Sequence, residues 1–81
     1  MIFTAEVKVM PLKELLDPQG KAVADGLKNL GLQNINDVRI GKHINLQIEA
    51  ATKEEALTIA DEAAKKLLAN AVMEEYTIQI I

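Results

Sequence analysis

The spacing of the apolar residues alternates between a strand period of two and a helix period of about 3.6, and the order of these patterns constrains the fold most strongly. Apolar and polar residues alternate over residues 2–10, which is typical of a half-buried strand. A helical pattern follows from Asp17-Pro18, a favourable helix start, to Gly31, which can adopt the left-handed conformation that ends a helix. The first part of the chain therefore predicts one strand followed by one helix.

The rest of the chain predicts two strands, a helix and a final strand. Residues 38–40 and 44–48 alternate as short strands, with Gly41-Lys42-His43 between them as a tight hairpin or a bulge. Thr52 and Glu55 have the spacing of a capping box, and the apolar positions of the helix that follows are mostly alanine. Alternation returns over residues 74–81.

The resulting order, β-α-β-β-α-β, predicts a ferredoxin-like α+β fold with a four-stranded antiparallel sheet and two helices on one face. Residues 1–81 contain no linker or repeat, so we expect a single domain. A domain of 81 residues has a thin stability margin, and the absence of cysteine excludes disulfides. A partner subunit is the remaining aid to stability.

Composition excludes several classes of function. The net charge of −3 offers no attraction for nucleic acid or anionic lipid, and no stretch of 18 apolar residues is present to span a membrane. The only aromatic residues, Phe3 and Tyr76, are predicted to face the core, where they cannot stack on bases. Charged residues within the first eight positions argue against a signal peptide, so we expect a cytoplasmic protein.

The chain lacks the side chains of a catalytic or metal site. It has no cysteine or serine nucleophile and a single histidine, His43. This residue could be a general base, a subunit contact or simply an exposed hairpin residue. Arg39 and Lys42 could meet a carboxylate or phosphate, or be solvated charges. We therefore predict no catalytic, cofactor or metal-binding residue on this chain.

Several stretches resemble the PurS family, in order and over nearly the whole chain. They are Leu16-Asp17-Pro18-Gln19-Gly20, Leu30-Gly31, Asp37-Val38-Arg39-Ile40-Gly41-Lys42 and the run from Leu67 to Tyr76. Ala71 stands where the family usually has proline. Each motif alone is weak, but together they fall on the predicted elements.

The resemblance implies a non-catalytic bridging subunit of phosphoribosylformylglycinamidine synthase, the formylglycinamide ribonucleotide amidotransferase of de novo purine biosynthesis. In such a complex a PurQ-like glutaminase releases ammonia, and a PurL-like synthetase, which would carry ATP and magnesium, consumes it. The PurS-like chain would be a homodimer or homotetramer that assists the transfer. We hypothesise two partner-binding patches, made of Asp17, Pro18, Gln19 and Gly20 and of Arg39, Gly41, Lys42 and His43.

Two other interpretations of the fold remain open at this point. A regulatory module of the ACT type has the same strand order and binds amino acids. The absence of a glycine-rich loop after the first strand argues against it. A small self-contained enzyme is the second alternative, against which the missing catalytic side chains argue.

Overall fold

The structure is a computed structural model that describes residues 1–15 and 17–81. Its elements are the strands β1 (Ile2–Pro11), β2 (Lys42–Glu49) and β3 (Glu74–Ile80) and the helices α1 (Pro18–Asn29) and α2 (Lys53–Ala63). A π-helical turn, Ala64–Leu68, continues directly from α2. No helix in the described part of the chain is long and apolar enough to cross a membrane.

The sheet is antiparallel, with β1 in the centre and the order β2-β1-β3. Val7 of β1 stands opposite Ile44 on one side and Ile78 on the other, so one face of the sheet is an apolar surface. Ala56 and Ala60 of α2 are completely buried against this surface. Their small side chains allow the helix backbone to approach the sheet closely, and this contact forms the core.

The prediction of a four-stranded sheet is wrong, because residues 38–40 do not form a strand. The backbone N–H of Ile40 donates a hydrogen bond to Asp17 Oδ2 at 2.9 Å, and the Arg39 guanidinium donates to the Pro11 carbonyl. The segment is therefore held by the start of α1 and the end of β1 instead of by a strand ladder. The predicted hairpin is consequently absent, and β2 pairs with β1 alone among the described strands.

The prediction of two helices on one face is also wrong. Only α2 packs on the sheet, whereas α1 makes no extensive contact with any described strand or helix. The molecule measures 51 × 24 × 14 Å. Its radius of gyration is 16.1 Å, against about 12 Å for a compact chain of this length. The helix α1 thus projects from the sheet as an arm.

The helix-capping predictions are confirmed. Asp17 Oδ1 accepts the Gly20 N–H at 3.0 Å, and Thr52 Oγ1 accepts the Glu55 N–H at 3.1 Å. Gly31 follows α1 with φ of 90°, the left-handed conformation that the sequence predicts. Gly41 serves a different purpose from the predicted turn: a Cβ there would collide with the Val9 carbonyl and the Met10 side chain. Gly41 therefore allows the chain to pass close to the end of β1.

Candidate functional site

The two patches predicted as partner contacts meet at one end of the sheet, and Asp17 joins them. One carboxylate oxygen of Asp17 accepts the Gly20 N–H of α1, and the other accepts the Ile40 N–H of the returning chain. These two hydrogen bonds, with a smaller contribution from the Arg39 charge, lower the pKa of Asp17 below its ordinary value of 3.8. Asp17 is therefore ionised at neutral pH and fixes the base of the arm.

Gly20 lies inside this junction and not on an open surface. It is the only buried residue of α1, and a Cβ at this position would overlap the Val38 carbonyl. From the sequence alone, a glycine inside this helix is either a mark of close approach to another surface or a tolerated weakness of the helix. The surface that it contacts here belongs to the same chain.

Arg39 and Lys42, predicted as one basic point, face different surroundings. Arg39 turns inward to the Pro11 carbonyl, and its Nε is buried without a hydrogen-bond partner among the described residues. Lys42 is largely exposed, and its Nζ lies 3.8 Å from Glu74 Oε2 at the start of β3. Arg39 therefore positions the junction, while Lys42 presents a charge to the outside.

A cleft of about 560 Å³ lies between the start of α1 and the start of β3. Asp17, Pro18 and Gln19 line one side, and Ile40, Gly41 and Lys42 line its middle. The other lining residues are Pro11, Leu15, Asn70, Met73 and Glu74. Seven of the eight predicted patch residues are thus close together. Five of them line this cleft directly, namely Asp17, Pro18, Gln19, Gly41 and Lys42, and Gly20 and Arg39 lie in the junction beside it.

His43 points away from the cleft, onto the polar face of the sheet. Its Nε2 lies 3.1 Å from Glu6 Oε2 and 3.0 Å from Asn45 Oδ1. This arrangement places a carboxylate and an amide around an exposed imidazole, with no nucleophilic side chain in the group. His43 is therefore part of a polar strand surface and not of the cleft.

Sequence reasoning did not predict the contribution of the turn before β3. Asn70 Oδ1 accepts the Val72 N–H at 3.0 Å, and Glu74 Oε1 accepts the Asn70 N–H at 2.8 Å. These bonds hold Met73, which is 54 % exposed, at the rim of the cleft. The asparagine followed by an acidic residue four positions later is the signal that could have indicated an ordered turn.

A second polar group ties β3 to α2 outside the cleft. The Tyr76 hydroxyl donates to Asp61 Oδ1 at 2.6 Å, and Lys65 Nζ lies 3.1 Å from Asp61 Oδ2. The hydrogen bond to the carboxylate raises the pKa of Tyr76, and the bonds from Tyr76 and Lys65 lower the pKa of Asp61. All three groups are already satisfied by one another, which is typical of a structural contact.

The cleft offers apolar side chains, one paired lysine and backbone groups, which suit the binding of a protein surface. No group of three or more metal-ligating side chains occurs in residues 1–15 and 17–81. The fold and this site together define a small α+β binding module.

Comparison with known proteins identifies the module. The family model for PurS, described as phosphoribosylformylglycinamidine (FGAM) synthase, matches residues 4–81. The PurS subunit of Mycobacterium leprae phosphoribosylformylglycinamidine synthase is 45% identical over 74 residues, which cover 91% of this chain and 90% of the relative.

Solved structures show the same architecture. PurS of Methanocaldococcus jannaschii, a subunit of formylglycinamide ribonucleotide amidotransferase in the purine biosynthetic pathway, is similar with a TM-score of 0.87 and 32% identity over 98% of this chain and 95% of that one. A chain of PurLQS from Thermotoga maritima gives 0.92 and 31%, covering 100% and 99%.

This chain therefore belongs to the PurS family. The expectation of a subunit of phosphoribosylformylglycinamidine synthase in purine biosynthesis is confirmed, and the ACT-type alternative is set aside. The Thermotoga structure contains a PurS chain together with PurL and PurQ.

Proposed function

We propose that this chain is the bridging subunit of the synthase, which holds a PurL-like synthetase and a PurQ-like glutaminase in one assembly and contributes no reacting group. The observation that carries this proposal is the cleft at the end of the sheet, where the two predicted patches meet. ATP and magnesium belong to the synthetase in this scheme, and the chain itself binds no cofactor.

A bridging subunit is useful because the transferred group is ammonia. In neutral water ammonia is mostly protonated and then cannot act as a nucleophile, and the free molecule also diffuses away. An assembly that excludes water between the two active sites keeps the amine neutral and close. Such a subunit needs complementary surfaces and no catalytic side chain, which agrees with the composition of the cleft.

The cleft has the composition expected of a protein interface, with apolar side chains beside a polar rim. Leu15 and Met73 are exposed apolar residues, and Lys42 stands at the rim. Pro18, Gln19 and Gly41 complete the surface offered to the partner. Gly20 and Arg39 act from behind by fixing its shape, and Asp17 both lines the cleft and holds its base.

The test is co-purification with the PurL-like and PurQ-like proteins, followed by an assay of glutamine-dependent amination with and without this chain. We expect amination to fall when the chain is left out. Met73→Glu and Lys42→Glu should each weaken assembly about tenfold, since an interface contact of this kind contributes on the order of 1 kcal/mol or more.

Lys53→Glu, an exposed change of the same charge at the start of α2, is the matched control and should assemble normally. Normal assembly of the Met73→Glu and Lys42→Glu variants would show that the cleft is not the partner surface. Unchanged amination in the absence of the chain would overturn the bridging role itself.

We also infer a cytoplasmic location, because the family relatives are subunits of an enzyme of nucleotide biosynthesis. Cell fractionation that follows the chain together with the synthetase would test this. Recovery of the two proteins in different fractions would contradict it.

A further inference from the structure

The cleft between α1 and β3 contains an oxidisable sulfur atom, the thioether of Met73. The chain has no cysteine, so its sulfur is confined to three methionines. A thioether is readily converted to a sulfoxide, which changes a flexible apolar side chain into a polar one. The position of each methionine therefore decides whether oxidation alters the partner surface.

The three methionines have different surroundings. Met73 lines the cleft and is 54 % exposed. Met10 is half-buried, and its side chain packs against Gly41. Met1 is 76 % exposed but lies at the opposite end of the sheet, where its carbonyl accepts the Ala50 N–H. Of the three methionines, Met73 is therefore the one that is both open to an oxidant in solution and part of the cleft.

The backbone of Met73 is fixed, although its side chain is open to solvent. The Met73 carbonyl accepts the Leu12 N–H at 2.9 Å, and the Met73 N–H donates to the Asn70 carbonyl at 3.0 Å. The two clusters of buried core residues are formed without Met73. Oxidation of its sulfur therefore leaves these hydrogen bonds and the core in place and alters only the surface of the cleft.

The surface that oxidation alters is the apolar part of the cleft. Leu15 and Met73 are its exposed large apolar side chains, and Met73 is the more exposed of the two. A sulfoxide oxygen is a hydrogen-bond acceptor, and it costs free energy when a partner buries it without a donor. Lys42 is the ammonium donor that lines the cleft, and its Nζ already lies 3.8 Å from Glu74. Oxidation thus replaces an apolar contact with a group that is better left in water.

We propose that Met73 is a redox-sensitive modification site, whose oxidation to the sulfoxide weakens assembly of the synthase; this rests on the proposed function of the cleft. With hydrogen peroxide as the oxidant, a lone pair of Met73 Sδ attacks one peroxide oxygen, and the O–O bond breaks. The sulfur loses two electrons. The second oxygen leaves as hydroxide and takes the proton of the transferred oxygen to form water. A methionine sulfoxide reductase reverses the modification.

The test begins with partial oxidation of this chain alone by hydrogen peroxide. The peroxide is removed with catalase, and the chain is then mixed with untreated PurL-like and PurQ-like proteins. Trypsin cuts after Lys8, Lys13 and Lys66, so each methionine falls in a separate peptide, whose mass reveals an added oxygen atom. We expect Met73 sulfoxide to be depleted about tenfold in the bound fraction relative to the unbound fraction. Met1 sulfoxide should be equal in both fractions, which makes it an internal control.

A matched pair of variants, Met73→Leu and Met1→Leu, assigns the effect to one sulfur atom. Each variant is oxidised fully and compared with its own untreated sample. The affinity of Met73→Leu for the partners should not change on oxidation, because leucine has no sulfur. The affinity of Met1→Leu should fall about tenfold, as in the wild type, and should recover after treatment with methionine sulfoxide reductases. Circular dichroism should be the same before and after oxidation, since the core is not altered.

Two results would overturn the redox role alone. The first is an equal proportion of Met73 sulfoxide in the bound and unbound fractions, and the second is a loss of affinity on oxidation of Met73→Leu. Failure of the cleft as the partner surface is recognised separately, from the unoxidised Met73→Glu and Lys42→Glu variants. If both of these assemble normally, the cleft is not the partner surface and the redox role is refuted with it.

Discussion

The two helices have the same kind of sequence signal, but their apolar faces are packed differently. Both begin at a side-chain cap, Asp17 or Thr52, and both have an apolar stripe at helical spacing. In α2 the stripe residues Ala56 and Ala60 are completely buried on the sheet, whereas in α1 the larger Val23 and Leu30 face outward. A periodic apolar stripe therefore shows that a helix has a face to bury, but not against which surface it is buried.

Residue size explains part of the difference. Alanine lets the backbone of α2 lie close to β1, so that Ala5 is completely enclosed beneath Ala56 and Ala60. Ala64 of the π-helical turn packs in the same way with Val7 and Val9. The close approach in α1 occurs at a single point, where Gly20 meets the Val38 carbonyl. The contact of α2 extends along the helix, whereas the contact of α1 is confined to the helix base. Substitutions in the two regions should therefore have different effects on the stability of the chain.

The largest effect is expected where a buried position of α2 and an exposed position of α1 receive the same charge. Ala60→Asp buries an unpaired carboxylate at a fully enclosed position, which costs several kcal/mol. This exceeds or equals the roughly 3–5 kcal/mol that a domain of this size has available, so the variant should be unfolded by circular dichroism. Ala22→Asp on α1 should stay folded, and equal unfolding of both would contradict the contrast.

The two glycines of α1 give the next comparison. Gly20→Ala forces a Cβ into the Val38 carbonyl and should destabilise the chain by about 1–3 kcal/mol in urea unfolding. Gly26→Ala meets no atom within 4 Å and should stabilise it by about 0.5–1 kcal/mol through helix propensity. Similar effects of the two substitutions would mean that the base of the arm is not closely packed.

The pH dependence of the arm base should follow Asp17. Its pKa is lowered in the folded chain, so its contribution is present above the ordinary value of 3.8 and is lost as the pH falls through the lower folded value. Asp17→Ala should therefore destabilise the chain at pH 7. On acidification the variant should lose less stability than the wild type, because the contribution of Asp17 is already missing. Hydrogen exchange at the Ile40 amide measures this locally, and unchanged protection in the variant would refute the assignment.

The smallest effect is expected for Tyr76→Phe in the contact between β3 and α2. The pKa of Tyr76 is raised, so the hydrogen bond to Asp61 is intact below the ordinary value of 10.0 and is lost as the pH rises through the higher folded value. The variant should melt slightly below the wild type at neutral pH, with the gap closing at strongly alkaline pH. A constant gap would show that the hydroxyl acts in another way.

Much of the local structure follows from the sequence, because it depends on neighbours along the chain. The first and last strands, both helix starts and the left-handed Gly31 are of this kind. Residues 38–40 have the alternation of a strand, but the Ile40 N–H is taken by Asp17, 23 positions earlier. A hydrogen bond between residues so far apart in the sequence has no effect on the spacing of the apolar residues. The apolar spacing therefore predicts a fourth strand that the structure does not contain.

The candidate site, like the fold, is predictable from the sequence only in part. The sequence indicates both patches, and the structure brings them together through Asp17. The inward turn of Arg39 was not predictable, because it depends on the Pro11 carbonyl. The third wall of the cleft, residues 70–74, becomes part of the site only when the chain closes the sheet.

The junction at Asp17 also has a mechanical consequence. The arm is attached to the sheet only at its base, so a rotation of α1 about this base, beside the cleft, moves the far end of the helix. Over a helix length of about 18 Å, a tilt of about 5° at the base moves the far end by roughly 1.6 Å. A protein that seats in the cleft and shifts Pro18 or Ile40 slightly thus changes the position of Leu30 by an amplified distance.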